Sequence, residues 1–272
     1  MSFRASLVQR LNQFPAIKRL LLGLRALIFP RTLVSSHYIP LSQGDASAEG
    51  QRLRASWQDS NLPARQLELV QQQLQRYRAG ARIDVFDVFV QSLKCLPETA
   101  PGMSLLEIGC SSGFYSEVLD IHGLPFTYSG CDYSSAFIDL AKQRYPGLQF
   151  TVEDATRLLH ADNAFDVVVS GCCLLHIPEY PQAVAETARV ARRYAVFHRT
   201  PVVWGQTEQW YRKKAYGIET VEIHFNEPEF LALLQSQELE LIATYTLHEI
   251  IDPSNSAQGH AVRTYVCRKK VH

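Results

Sequence analysis

No two of the six cysteines are spaced C-x-x-C; Cys95, Cys110, Cys131, Cys172, Cys173 and Cys267 are scattered along 272 residues. That scatter argues against a zinc site or a disulfide framework and for reduced thiols in a cytoplasmic protein. Net charge is missing as well. The 27 Lys and Arg balance the 27 Asp and Glu, and a neutral chain lacks the clustered basic surface with which nucleic-acid binders neutralise phosphates. There is no internal repeat and no low-complexity tract. With 46% hydrophobic residues, the chain is long and apolar enough to bury a full core.

Acids are absent from the first 44 residues, which carry Arg4, Arg10, Lys18, Arg19, Arg25 and Arg31. Within residues 16–29, Ile17, Leu20, Leu21, Leu24, Leu27 and Ile28 fall on one helical stripe, with Lys18 and Arg25 off it. This amphipathic stretch is too short, and too interrupted by Arg25, to span a bilayer, and no A-x-A cleavage site follows it. Three readings stay open: a helix docked on the protein's own core, a peripheral membrane-surface contact through residues 1–31, or a targeting arm. Pro30 and the mixed segment to residue 60 read as a stop and a linker, so the domain is expected from residue 61.

From Met103 onward, apolar runs alternate with amphipathic ones. Strands are expected at Ser104 to Ile108, Phe126 to Cys131, Gln149 to Val152, Phe165 to Ser170 and Tyr194 to His198. Helices are expected at Tyr115 to His122, Ala136 to Tyr145 and Tyr180 to Arg192. Continuous apolar strands joined through helices predict a doubly wound α/β domain with a mostly parallel sheet. Helices at 63–78 and 84–96 would cap its cleft, within a helical segment 61–100. A polar, aromatic insertion occupies 201–225, and Asn226 with Glu229 has the spacing of a helix capping box. The runs at 239–249 and 261–269 read as a terminal antiparallel hairpin.

The strongest local signal is Leu105-Leu106-Glu107-Ile108-Gly109-Cys110-Ser111-Ser112-Gly113-Phe114, a strand-like run that ends in a glycine-punctuated turn. Such a turn lets a nucleoside-bearing ligand approach the backbone at the start of a helix. A nicotinamide dinucleotide calls for G-x-G-x-x-G, which this turn lacks, and Glu107 would repel a pyrophosphate. A sulfonium donor has no phosphate and carries a cation.

Four pieces in order then resemble the class I S-adenosylmethionine-dependent methyltransferases: Glu107 to Gly113, Cys131-Asp132-Tyr133-Ser134, Glu153-Asp154-Ala155, and Phe165 to Cys172. The resemblance covers residues 100–270. It implies a seven-stranded sheet with an antiparallel last strand, S-adenosylmethionine as cofactor and a small-molecule acceptor. It also implies roles for particular residues. Glu107, Gly109, Cys110, Gly113 and Cys172 would surround the amino-acid end and the ribose, Asp132 would accept from both ribose hydroxyls, and Tyr133 would lie along the adenine. Asp154 and the Ala155 N–H would read the adenine edge. Ser111 stands where many members have a third glycine.

Methyl transfer needs alignment in a dry pocket, and a base only where the acceptor loses a proton. His176, four residues past Cys172, is the candidate base; the plainer reading is a histidine that fixes its loop through a backbone hydrogen bond. His198 and Arg199 at the end of the fifth strand, and Trp204 and His224 in an insertion whose aromatic residues suit a sugar or an aromatic ring, are candidate acceptor contacts. No N-P-P-Y-like tetrad follows the fourth strand and no acidic trio suggests a metal. The expectation is therefore methylation of a small-molecule oxygen, on a sugar, lipid-linked glycan or quinone-like acceptor. A non-catalytic cofactor-binding partner protein and a nicotinamide-dependent oxidoreductase are the rivals. The oligomeric state is left open.

Overall fold

Residues 38–60, read above as linker, are folded. The computed structural model describes residues 38–270, so the helix expected at 16–29 lies outside the described residues. β1 (Tyr38–Pro40) leads into α1 (Gln43–Arg54) and a short 3-10 turn (Ala55–Gln58). Leu53 is fully buried, and a Cβ on Gly50 would stand 3.0 Å from both Pro178 and Trp210. The polar sequence of α1 has no apolar stripe for a sequence reading to detect. The helices α2 (Leu62–Arg78) and α3 (Asp84–Lys94) follow where expected.

The alternating body contains β2 (Ser104–Ile108), α4 (Tyr115–Ile121), β3 (Thr127–Asp132), α5 (Ser135–Arg144), β4 (Gln149–Val152), β5 (Phe165–Gly171), α6 (Tyr180–Val190) and β6 (Ala191–Trp204). Strands β2 to β6 are mutually parallel where they pair. Val168 belongs to the apolar cluster on one face of the sheet, and Val167 and Val169 to the cluster on the other. All three are shielded from solvent, as a doubly covered strand requires. At the far edge Asp166 accepts from the Ser104 N–H at 2.9 Å and pairs with Arg192 at 2.9 Å, tying β5 to β2.

The insertion is a hairpin, β7 (Gln209–Ala215) and β8 (Ile218–Asn226), with β1 as its third, antiparallel strand. Then come α7 (Glu227–Ser236), β9 (Leu239–Asp252) and β10 (Asn255–Lys269). Asn226 caps α7, its Oδ1 accepting from the Glu229 N–H at 3.1 Å. β10 runs antiparallel between β6 and β9. The main sheet therefore has the order β4-β3-β2-β5-β6-β10-β9, seven strands with only β10 reversed.

β6 is much longer than the expected 194–198, because it serves two sheets. Its pairing with β5 ends at Gly171 opposite His198. Beyond that point Val202 and Val203 pair with Phe225 and Asn226 of β8. Between the two halves, His198 and Arg199 together face the single residue Thr264 of β10, a β-bulge. Arg199 there adopts a left-handed φ of 59°.

Candidate active site

A cavity of about 400 Å³ opens at the carboxyl ends of β2, β3, β4 and β5, where open α/β sheets hold their ligands. Gly109 and Ser111 of the glycine turn, Asp132 at the tip of β3 and Cys172 after β5 form its floor. Gln66 from α2, Phe86 from α3, Trp57 from the 3-10 turn and Lys213, Tyr216 and Glu222 from the hairpin close it. Gly109 has φ 74°, and a Cβ there would sit 2.4 Å from Cys173 Cβ, so the turn requires glycine at this position.

The sheet side of the cavity carries two carboxylates, Glu107 buried and Asp132 half-buried. Asp132 accepts from the Ser111 N–H at 2.8 Å and the Ser134 N–H at 2.9 Å. Burial raises it to about 6, against those backbone donors, which hold it down. Glu107 accepts from the Tyr128 hydroxyl, and burial pushes it to about 8. A Cβ on Gly171 would stand 2.5 Å from Glu107 Oε1, so Gly171 makes room for this carboxyl. Neither carboxylate has a cation within ion-pair distance among the described residues.

The hairpin side is arranged differently. Glu222 pairs with Lys213 at 2.6 Å and His224 at 3.2 Å and accepts from the Tyr38 hydroxyl at 3.0 Å. Burial acts to raise it, yet His224 and Lys213 hold it at about 2. His176 Nδ1 lies 2.6 Å from the Val221 carbonyl. A carbonyl only accepts, so Nδ1 carries the proton and Nε2 keeps its lone pair. Burial lowers this imidazole to about 4, so it is neutral at pH 7. His176 thus makes the backbone hydrogen bond of the plainer reading, and it also lines the cavity.

Backbone strain gathers around the cavity. Among the described residues, seven other than glycine have positive φ, and four of them, Ser111, Cys172, Arg199 and Tyr216, line it. Left-handed torsions in such residues cost on the order of 1–3 kcal/mol each and persist where packing over-determines them.

Of the residues expected in the site, the cavity contains Glu107, Gly109, Asp132, Tyr133, Ala155, Cys172, His176 and Arg199. Others lie elsewhere. Cys110 is fully buried behind the turn, interlocked with Gly130. Gly113 faces inward, where a Cβ would be 2.7 Å from the Phe150 ring, so it serves packing rather than ligand approach. Asp154 is not a lining residue; its Oδ1 accepts from Thr156 and pairs with Arg54 at 2.6 Å. His198 is a core histidine, hydrogen-bonded to the Tyr115 hydroxyl at 2.9 Å and to Thr264 at 3.0 Å. Trp204 packs on Gly259 and beneath Arg263 at the far end of β6. His224 lines a second cavity, with His248 and His260, on the other side of Glu222. No group of three or more His, Cys, Asp or Glu among the described residues could hold a metal ion.

Arg54, Trp57, Gln66 and Lys213 are site residues that the sequence reading did not name. Arg54 reaches from the end of α1 to pair with Asp154 and lies 4.8 Å over the Tyr133 ring. Trp57 donates to Thr220 at 2.8 Å and tilts against the His176 ring with centroids 4.7 Å apart. Only the basic end of a polar segment marked Arg54 in the sequence, and that signal is weak.

Residues 106–197 match the family described as a methyltransferase domain. A demethylmenaquinone methyltransferase from Renibacterium salmoninarum is 34% identical over 92 residues, 34% of this chain and 38% of that protein. A phthiotriol/phenolphthiotriol dimycocerosates methyltransferase from Mycobacterium leprae is 34% identical over 93 residues, covering 34% of each chain. The chain thus spans little more than a third of the length of these relatives. The structure of 1,6-didemethyltoxoflavin-N1-methyltransferase from Burkholderia thailandensis, with 1,6-didemethyltoxoflavin and S-adenosylhomocysteine bound, superposes with a TM-score of 0.53. That match has 16% identity and covers 88% of this chain and 95% of that one, a likeness of fold.

Proposed function

We propose that the chain is a class I S-adenosylmethionine-dependent methyltransferase, a reading supported by the methyltransferase-domain match over residues 106–197, and that it methylates a hydroxyl oxygen on a small molecule with a flat, apolar body. The observation that carries the donor reading is the pair of carboxylates at the ends of neighbouring strands, Glu107 buried and Asp132 half-buried, with no cation in ion-pair distance among the described residues. A cationic ligand bearing a vicinal diol supplies what both lack. When bound, the donor provides an activated methyl group on a sulfonium.

Asp132 accepts from the ribose hydroxyls, Tyr133 lies along the adenine, and the Ala155 N–H reads its edge. Gly109 and Cys172 have spent their N–H groups on Cys131 and Ser170. They offer the donor's ammonium their carbonyl oxygens, which suits a cation. Arg54 closes the adenine end, and the aromatic residues Trp57, Phe86 and Tyr115 exclude water around the acceptor.

His176 Nε2 takes the acceptor's proton. Burial makes this imidazole a weak base, while the Glu222 carboxylate acts in the opposite sense and stabilises the imidazolium. The carboxylates beside the glycine turn disfavour a dinucleotide pyrophosphate and hence the oxidoreductase reading. The names of the relatives, a menaquinone precursor and a phenolic lipid among them, support an aromatic or quinone-like acceptor over a sugar. With such an acceptor, residues 1–31 serve as a membrane-surface contact, and liposome co-sedimentation unchanged by their deletion would remove that role.

The test is transfer of isotope-labelled methyl from S-adenosylmethionine into a small-molecule extract, read by mass spectrometry. His176→Gln should slow it about a hundredfold or more, the usual contribution of a positioned base. Tight donor binding with no labelled product would favour the non-catalytic reading.

A further inference from the structure

We propose that Arg199 is the acceptor-specificity residue of this cavity and that it grips a carboxylate on the acceptor molecule. The inference rests on the donor reading above and extends it to the other half of the site. Three cations line the cavity: Arg54, Lys213 and Arg199. Arg54 pairs with Asp154 and Lys213 with Glu222. Arg199 alone of the three has no carboxylate within ion-pair distance among the described residues.

The groups that act on it electrostatically are Cys172, Tyr115, Tyr216 and Glu222. Burial keeps the thiol and both phenols neutral at pH 7, and Glu222 is already engaged by Lys213, His224 and Tyr38. A guanidinium that lines a cavity, partly shielded from solvent and without a counter-charge, is costly. The fold nevertheless goes to some length to place it there. The bulge opposite Thr264 inverts the in-out alternation of β6: Phe197 and Val202, five residues apart, point into the same apolar cluster. It also sets Arg199 in a left-handed torsion, pinned by its N–H donating to Thr264 Oγ1 at 3.3 Å. Bulges beside active sites commonly re-aim one side chain.

The sheet order says which ligand Arg199 meets. Adenine, ribose and amino-acid end follow one another over the tips of β4, β3 and then β2 and β5. Arg199 stands one strand further, on β6, against the hairpin. Gln66 also lines the cavity and offers a buried Oε1 with no hydrogen-bond partner, an acceptor for a hydroxyl on the same molecule. An arginine fork matches a carboxylate through two parallel bonds, and the surrounding aromatic residues suit a flat apolar body. The acceptor class is a hydroxylated, apolar carboxylic acid.

The test titrates benzoate and indoleacetate, and their neutral counterparts benzamide and indoleacetamide, into protein saturated with S-adenosylhomocysteine. Calorimetry should show each acid binding about tenfold or more tighter than its amide, the effect of one charge-assisted contact. Arg199→Met should abolish that preference, Arg199→Lys should restore part of it, and affinity for S-adenosylhomocysteine should stay within about twofold. Equal binding of acids and amides would overturn the proposal, as would no binding of either while S-adenosylhomocysteine binds. A loss of S-adenosylhomocysteine affinity in Arg199→Met as large as the loss of acid affinity would assign the arginine to the donor's own carboxylate. Failure of wild-type protein to bind S-adenosylhomocysteine would instead sink the donor reading, and this one with it.

Discussion

Two walls of one cavity keep their carboxylates in opposite condition. On the sheet wall, burial lifts Glu107 to about 8 and Asp132 to about 6. On the hairpin wall, His224 and Lys213 hold Glu222 at about 2. The sheet wall's carboxylates have no cation in ion-pair distance among the described residues, which on the proposed reading leaves room for a ligand with positive charge and hydroxyls. The hairpin wall is complete in itself, apart from the guanidinium of Arg199. On the function proposed above, a site divided in this way would hold its donor through what the protein lacks and shape its acceptor through what the protein has already built.

The largest effect should come from breaking the completed wall. Lys213→Met leaves Glu222 buried without its cation and should cost about 3–5 kcal/mol of stability, measured by denaturant unfolding. Adding Glu222→Gln should recover part of it. Breaking the sheet wall should spare the fold and damage binding. Asp132→Asn should weaken S-adenosylhomocysteine by about 2 kcal/mol in calorimetry, the worth of hydrogen bonds to a charged group.

The contrast also fixes the sign of the pH response. Both sheet-wall carboxylates are raised above their ordinary 3.8 and 4.5, so their stabilising protonated forms are fully present below about pH 4. That contribution is lost as pH rises through about 6 and 8. A sulfonium ligand favours the ionised forms. S-adenosylmethionine should therefore bind more tightly from pH 6 to 8 and release protons, detectable as a buffer-dependent heat. Glu222, being depressed, contributes stability above its ordinary 4.5 that is lost only as pH falls through about 2. The smallest effect is expected at Trp204→Phe, outside both walls, where donor affinity should not change.

Most of the sheet was legible in the sequence. β2 and β4 occupy Ser104–Ile108 and Gln149–Val152, the expected spans, because apolar runs bounded by turn residues leave little choice. α1 was not legible, since its polar segment has no apolar stripe. The site divided along the same line. Gly109, Asp132 and Ala155 follow from strand ends, which sequence periodicity locates. His198 and Arg199 are adjacent candidates, and only one reached the cavity. The bulge that separates them depends on Thr264, sixty-odd residues away, and no local pattern announces it.

A crystal structure with S-adenosylhomocysteine bound tests the central claim most directly. It should place both ribose hydroxyls on the Asp132 carboxylate, with the amino-acid end between Glu107 and Cys172. Density for the ligand outside this cavity, or a ribose that does not touch Asp132, would contradict it.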